Sequence, residues 1–171
     1  AIVRSLTPPG SQYARMIIDI GENSADLAVI YGDSPRLVRT VPTGLQAMVR
    51  AAVQNLNVQD TQARQFILKF GLAADRLDGQ VLRAIDGVLD NFASELVKSI
   101  KFFHTRYPSL PVSGIILSGF GATIPQIDKY IAAKTGVQTV AGNPWQHVSV
   151  SQSDQQQLAP VAAEFATAVG F

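Results

Sequence analysis

The sequence contains no cysteine. That excludes a disulfide framework, a thiol nucleophile and any thiolate-bound zinc or iron–sulfur site. Histidine is nearly as scarce. His104 and His147 stand far apart, and neither belongs to an H-E-x-x-H pair, so no histidine zinc motif exists. No G-x-x-x-x-G-K-[ST] run occurs either, which excludes a P-loop. Charged residues make up 16% of the chain, against about 25% in an average domain. The net charge is +1, and without a basic excess or stripe the chain lacks the footprint of a nucleic-acid binder. No apolar run approaches the roughly 20 residues that span a bilayer. The first residues carry no signal-peptide pattern, so the default expectation is a soluble, cytoplasmic chain without direct membrane insertion.

What is present is apolar: 47% of 171 residues. A chain of this length buries roughly 70% of the surface it exposes when unfolded. It is therefore expected to fold as one domain, or as one domain carrying a small insert. It opens on Ala1, and residues 1–6 read as the middle of an element. The expectation is a fragment of a longer protein.

Thr7-Pro8-Pro9-Gly10 is a break, because two prolines and a glycine continue neither helix nor ladder. Met16 to Gly21 reads as a short buried strand ending in a tight turn, with one carboxylate, Asp19, before the glycine. Ala25 to Tyr31 is a second strand. Only Glu22, Asn23 and Ser24 separate it from Gly21, so the two form a hairpin. After Gly32-Asp33-Ser34-Pro35, Arg36 to Val41 alternates as a third strand, completing an antiparallel meander. Helices are expected over Leu45–Leu56 and over Thr61–Phe70, the latter capped by Asp60 or Thr61 and stopped by Gly71. A long helix runs from about Gly79 to Arg106. Its apolar positions Leu82, Ile85, Leu89, Phe92, Leu96, Ile100 and Phe103 are spaced 3, 4, 3, 4, 4 and 3, which is one helical stripe. Val112–Leu117 is a fourth strand, Ile124–Lys134 a helix and Val137–Val140 a fifth strand. Ser149–Gln157 reads as a polar loop and Pro160–Val169 as a closing helix. The fold class is α/β: a mixed sheet, meander plus parallel strands, flanked by helices.

Two strand-to-turn corners can carry chemistry. In Asp19-Ile20-Gly21 a carboxylate ends a buried strand, where it can orient a water or a hydrated metal ion. The glycine beside it lets backbone amides approach a phosphate without a Cβ in the way. In Ser118-Gly119-Phe120-Gly121-Ala122 glycines again clear the backbone, and the helix expected next would offer its N-terminal amides. Other residues have plainer readings. Glu95, Lys98, Ser99 and Lys101 fit a solvated helix face. Trp145 fits a packing anchor, Asp26 a hairpin cap, and His104 a dipole partner at a helix C-terminus.

The two corners together, with their spacing and the element order, resemble the second half of the actin-like ATPase superfamily. Asp19-Ile20-Gly21 sits at its second phosphate motif and Leu117 to Ala122 at its adenosine motif. More narrowly, the chain resembles the PilM family of type IV pilus assembly proteins, relatives of the division protein FtsA. The likeness extends over Ala63 to Lys69, Glu95 to Phe103, Ile124 to Tyr130, Asn143-Pro144-Trp145 and Ala163 to Gly170. It implies an actin-like, ribonuclease-H-like fold with subdomain IIA at about residues 1–56 and 84–171, and a small inserted subdomain IIB at about 57–83. Subdomains IA and IC would be missing.

The resemblance also implies a cytoplasmic scaffold at the inner-membrane face, serving pilus assembly and twitching motility. It would bind ATP and magnesium when complete, would be at most a weak ATPase, and would be inactive as this piece. Asp19 would hold a magnesium-bound water. Gly21, Glu22, Asn23 and Ser24 would line the phosphates. Gly119, Phe120, Gly121 and Ala122 would border the adenine, and Lys98, Ser99 and Phe102 would touch the nucleoside. The implied partner is the N-terminal tail of a PilN-like inner-membrane protein, docking mainly on the missing half, with other pilus assembly components. Three positions depart from the family pattern: Ala25 where a threonine is usual, Phe120 where a glycine is, and Thr43-Gly44 where a glycine pair is. Half of a sugar- or acetate-kinase-like phosphotransferase, or a nucleotide-free interaction module, stand as the other readings.

Overall fold

The structure, a computed structural model, describes residues 6–7, 10, 12–147, 154, 157–158, 162 and 165–169. Within them the strands are β1 (Ala14–Ile20), β2 (Ala25–Tyr31), β3 (Ser34–Val41), β4 (Val112–Ser118) and β5 (Thr139–Ala141). They form one sheet in the order β3-β2-β1-β4-β5. The first three pair antiparallel; β4 joins β1, and β5 joins β4, in parallel. This is the mixed sheet expected from the sequence. Short polar turns suffice between the antiparallel strands, whereas each parallel strand needs a helical crossover.

The helices are α1 (Leu45–Leu56), α2 (Asp60–Phe70), α3 (Gln80–Arg106), α4 (Ile127–Thr135) and α5 (Ala166–Val169). The α3 stripe is real: Ile85, Leu89, Phe92, Leu96, Ile100 and Phe103 are all buried. They pack on the sheet face formed by Met16, Ile18, Ile20, Leu27, Val29 and Leu117. α1 adds Leu45, Met48, Val49 and Ala52, α2 adds Ala63 and Ile67, and α4 adds Ile127 and Ile131 to that same core. The period-2 alternation of the strands leaves Ile17, Ile30 and Ile116 for the opposite face, where Leu6 and Ala166 cover them. α3 and α4 are also tied by polar contacts. The Tyr130 hydroxyl donates to Asp90 at 2.9 Å, and Lys134 pairs with the same carboxylate.

Several boundaries differ from the sequence expectation. α4 begins at Ile127, not Ile124. Ile124 is extended (φ −64°, ψ 120°) because Pro125 follows, and Gln126 is left-handed (φ 67°). β5 is displaced to Thr139–Ala141, where its parallel register with Ile115–Leu117 sets its limits. Asp60 does not cap α2: Gln59 holds the cap position without a side-chain bond, and the Asp60 carboxylate accepts from Gln46 instead. His104 takes no part as a dipole partner alone; its Nε2 accepts the amide of Val112 at 3.1 Å and anchors the start of β4. Trp145 packs against Phe165, ring centroids 5.9 Å apart. The loop expected at 149–157 and the start of the helix expected at 160–169 lie largely outside the described residues.

Candidate functional site

β1 and β4 are parallel neighbours at the centre of the sheet, so their carboxyl ends open at the same edge. Open α/β sheets bind ligands outside that edge. Here the two corners expected from the sequence are pressed together. Gly119 has φ 79° and ψ 179°, a conformation that only glycine populates readily. A Cβ built on it would lie 2.5 Å from Asp19 Oδ1 and 2.6 Å from the carbonyl oxygen of Ile20. A Cβ on Gly121 would come within 2.2 Å of Ile20 Cγ2. The β4 corner therefore closes on the Asp19 corner only because both positions lack side chains. Phe120 projects from between them, 52% exposed. Ala122 is buried. The α-helix N-terminus expected here does not form. Instead one 3-10 turn, Phe120–Thr123, uses the Ala122 amide internally, donating to the Gly119 carbonyl at 3.1 Å.

The hairpin tip is built from the other side. The Gly21 amide donates to the Ser24 carbonyl at 2.9 Å. Among the described residues, the amides of Glu22, Asn23 and Ser24 donate to no other backbone group. The carbonyls of Gly21 and Glu22 accept the amides of Leu45 and Gln46, which fasten the start of α1 beneath the tip. Gly44 is the glycine this contact demands, since a Cβ there would lie 2.6 Å from the Glu22 carbonyl oxygen and from the Ser24 amide nitrogen. Of the Thr43-Gly44 pair, the second position is thus the one under steric constraint. The Ala25 departure also has a structural answer. Ala25 is fully buried in the main core opposite Ile20, so the side chain at 25 points away from the tip, and Ser24 carries the hydroxyl there.

Asp19 lies in a row of polar residues that crosses four strands. Its cross-strand partners are Asp26 on β2 and Ser118 on β4, and Thr40 stands opposite Asp26 on β3. Asp26 is therefore no hairpin cap: its carboxylate accepts from Thr40 Oγ1 at 2.6 Å and faces Asp19. Burial pushes the Asp19 carboxyl above the usual carboxylate range, the Asp26 charge adds to that, and a hydrogen bond with Ser118 offsets part of it. Two carboxylates side by side favour a cation between themselves and an incoming anion.

Glu22 is engaged from the α2 side. Arg64 grips its carboxylate with both guanidinium nitrogens and reaches Gln46 Oε1 at 3.2 Å. Just past the end of α2, Leu72 donates its amide at 2.9 Å to the carbonyl of Pro125, which follows the second corner. The segment expected as an insert thus contacts the hairpin tip through Arg64 and the stretch after the β4 corner through Leu72. Neither contact was legible, because Arg64 and Glu22 are 42 positions apart and nothing local pairs them.

Lys98, Ser99 and Phe102 are not brought onto these corners. Ser99 is buried and bonded to Arg39 of β3. Lys98 pairs with Glu95 at 2.8 Å. Phe102 lines a groove with Leu37 and Val38. β3 is the outer strand, three places from β4.

The family model for the type IV pilus assembly protein PilM matches residues 1–171. The chain belongs to the PilM family. No curated protein matches it. Among solved structures, it is similar to a chain of the PilM–PilN type IV pilus biogenesis complex, at 26% identity and TM-score 0.78 over 94% of this chain and 45% of that one. It also superposes on MreB5 of Spiroplasma citri bound to ADP (14% identity, TM-score 0.70, 98% and 55% covered). A third likeness is to an archaeal actin homologue in complex with ADP (15%, TM-score 0.62, 95% and 49% covered). The last two show the fold alone, and it is actin-like. The PilM-family chain spans about half the length of these solved relatives.

Proposed function

We propose that this chain is the IIA–IIB half of an actin-like scaffold protein of type IV pilus assembly, with IIA at about 1–56 and 84–171 and IIB at about 57–83. It supplies one wall of a nucleotide site. The single observation that carries this reading is the close apposition of Gly119 and Asp19, which leaves a backbone corner clear of Cβ atoms beside a half-buried carboxylate. Three unpaired amides stand on the adjoining hairpin.

The residues fit the groups the family implies. Asp19 with Asp26 beside it suits magnesium, an ion usually held by one or two carboxylates, waters and substrate phosphates. Asp19 would hold the ion through a water, where a cation's charge would offset the repulsion between Asp19 and Asp26. Glu22, Asn23 and Ser24 offer backbone amides to phosphate oxygens and Gly21 clears the turn of a side chain, while the Glu22 carboxylate stays turned to Arg64. Gly119, Gly121 and Ala122 shape the adenosine side, and the half-exposed Phe120 ring stacks on the purine. Magnesium supplies charge neutralisation of the phosphates. Pre-organisation of the cleft comes from both halves, so this chain alone binds nucleotide weakly and turns over none.

The biological role is a scaffold on the cytoplasmic side of the inner membrane, docking the N-terminal tail of a PilN-like protein mainly through the other half. Among the described residues no helix is long and apolar enough to cross a membrane. The test is magnesium–nucleotide affinity of the complete protein with Asp19→Ala. We expect a loss of at least about tenfold with the fold retained. Unchanged affinity would remove Asp19 from the site. If the complete protein binds no nucleotide at all, the reading becomes an interaction module whose hairpin is closed by the Arg64–Glu22 pair.

A further inference from the structure

Resting on the nucleotide reading above, we infer that Arg64 is a positioning residue of the phosphate hairpin: it masks the Glu22 carboxylate, and so makes the tip amides usable by a polyphosphate. The hairpin carries a conflict of charge. Among the described residues, the amides of Glu22, Asn23 and Ser24 donate to no other backbone group, and successive free amides in a turn form an anion-binding concavity. Yet the first of those three residues is itself a carboxylate. Left alone, its charge would repel the anion that its own amide is offered to.

Arg64 removes that conflict. Its Nη1 and Nη2 donate to the two carboxylate oxygens of Glu22. This is the two-pronged geometry of a guanidinium on a carboxylate, which a lysine does not reproduce. Gln46 braces the pair. Its amide donates to the Glu22 carbonyl at 2.8 Å, and its Oε1 accepts from Arg64 at 3.2 Å. Gln46 Nε2 reaches Asp60 at 3.3 Å, so the Gln46 side-chain amide stands between Arg64 and that second carboxylate. The carboxylate and the carbonyl of Glu22 are both engaged, and its amide is the group left over.

A partly exposed ion pair of this kind adds little to the stability of a fold. Its charge acts on whatever binds beside it. A multiply charged phosphate meeting a bare Glu22 loses affinity through repulsion, and one meeting a masked Glu22 does not. Masking differs from merely tying α2 to the hairpin, because masking alone becomes unnecessary once the carboxylate is gone.

The test titrates this chain with magnesium pyrophosphate and follows the amide resonances of residues 22–24, whose spectra also report the fold of each variant. Wild type, Arg64→Ala, Glu22→Gln and the double variant are compared. We expect saturable shifts at the tip in wild type. Arg64→Ala should weaken binding at least about fivefold, with a smaller loss at high salt. Glu22→Gln should bind at least as tightly as wild type, and the double variant should regain most of the loss. Four results would overturn the inference: no saturable shift at 22–24 in wild type, Arg64→Ala binding as well as wild type, Glu22→Gln binding as weakly as Arg64→Ala, or a double variant that regains less than about half of the loss on a logarithmic scale. The probe needs neither the adenosine corner nor the other half of the fold. Failure of the cleft reading therefore shows separately, as a joined protein that gives no heat with ATP although pyrophosphate shifts the tip.

Discussion

Gly119→Ala is the sharpest structural test of the corner. Gly119 sits at φ 79°, ψ 179°, where a side chain costs about 1–3 kcal/mol of backbone strain. The added methyl would also meet Asp19 Oδ1 at 2.5 Å and the Ile20 carbonyl oxygen at 2.6 Å. Both belong to the central strand, which cannot retreat without disturbing two ladders, so overpacking adds about 1–3 kcal/mol. The sum is about 4 kcal/mol. In a chain of this size each kcal/mol moves Tm by about 2–4 °C, so the variant should melt about 8–16 °C below wild type. Gly87→Ala is the matched control. Gly87 lies on the exposed side of α3, and a Cβ there meets nothing within 4 Å. Alanine should therefore stabilise the helix by about 0.5–1 kcal/mol. Thermal unfolding followed by far-ultraviolet circular dichroism reads both. A Gly119→Ala protein melting within about 2 °C of wild type would refute the geometry argued for the corner.

Asp19→Asn should change the pH dependence of stability. Because the folded carboxyl is held above its ordinary range, the native state binds the proton more tightly than the unfolded chain does. Wild type therefore gains stability as pH falls through the folded value, and the gain is complete below the ordinary carboxylate value. Asparagine should thus be the more stable variant at neutral pH, with an advantage that shrinks on acidification; denaturant titrations showing a pH-independent difference would contradict this. For the Arg64–Glu22 pair, whose side chains are 33% and 41% exposed, a double-mutant cycle with alanine should give a coupling of about 1 kcal/mol or less. Hydrogen exchange of the tip amides at 22–24 should quicken in Arg64→Ala, and unaltered exchange would show that α2 does not hold the hairpin.

The sheet and the long helix were legible because their signals are local. Alternation between Ala25 and Val41 and the 3–4 spacing from Leu82 to Phe103 each need only neighbouring residues. The glycine turns at Gly21 and Gly119 were legible for the same reason. What failed depended on partners remote in the chain. Asp26 read as a cap until the β1–β2 register placed it against Asp19. Ala25 read as a lost hydroxyl until the pleat turned it into the core. Lys98, Ser99 and Phe102 were nucleoside contacts by family resemblance alone; in this chain Arg39 and Glu95 hold Lys98 and Ser99 beside β3, a partnership 56 to 60 positions apart that no local signal announces. The start of α4 failed for a local reason that was available, since Pro125 disfavours helix at Ile124.

The central claim is that the Asp19 and Gly119 corners form one wall of a split nucleotide cleft. The most direct measurement is calorimetric titration of ATP with magnesium into this chain and into the same chain joined to the other half of the fold. The account predicts strong binding heat from the joined protein, abolished by Asp19→Ala, and at most a weak signal from this chain alone. No heat from either, or heat from the joined protein that survives Asp19→Ala, would contradict it.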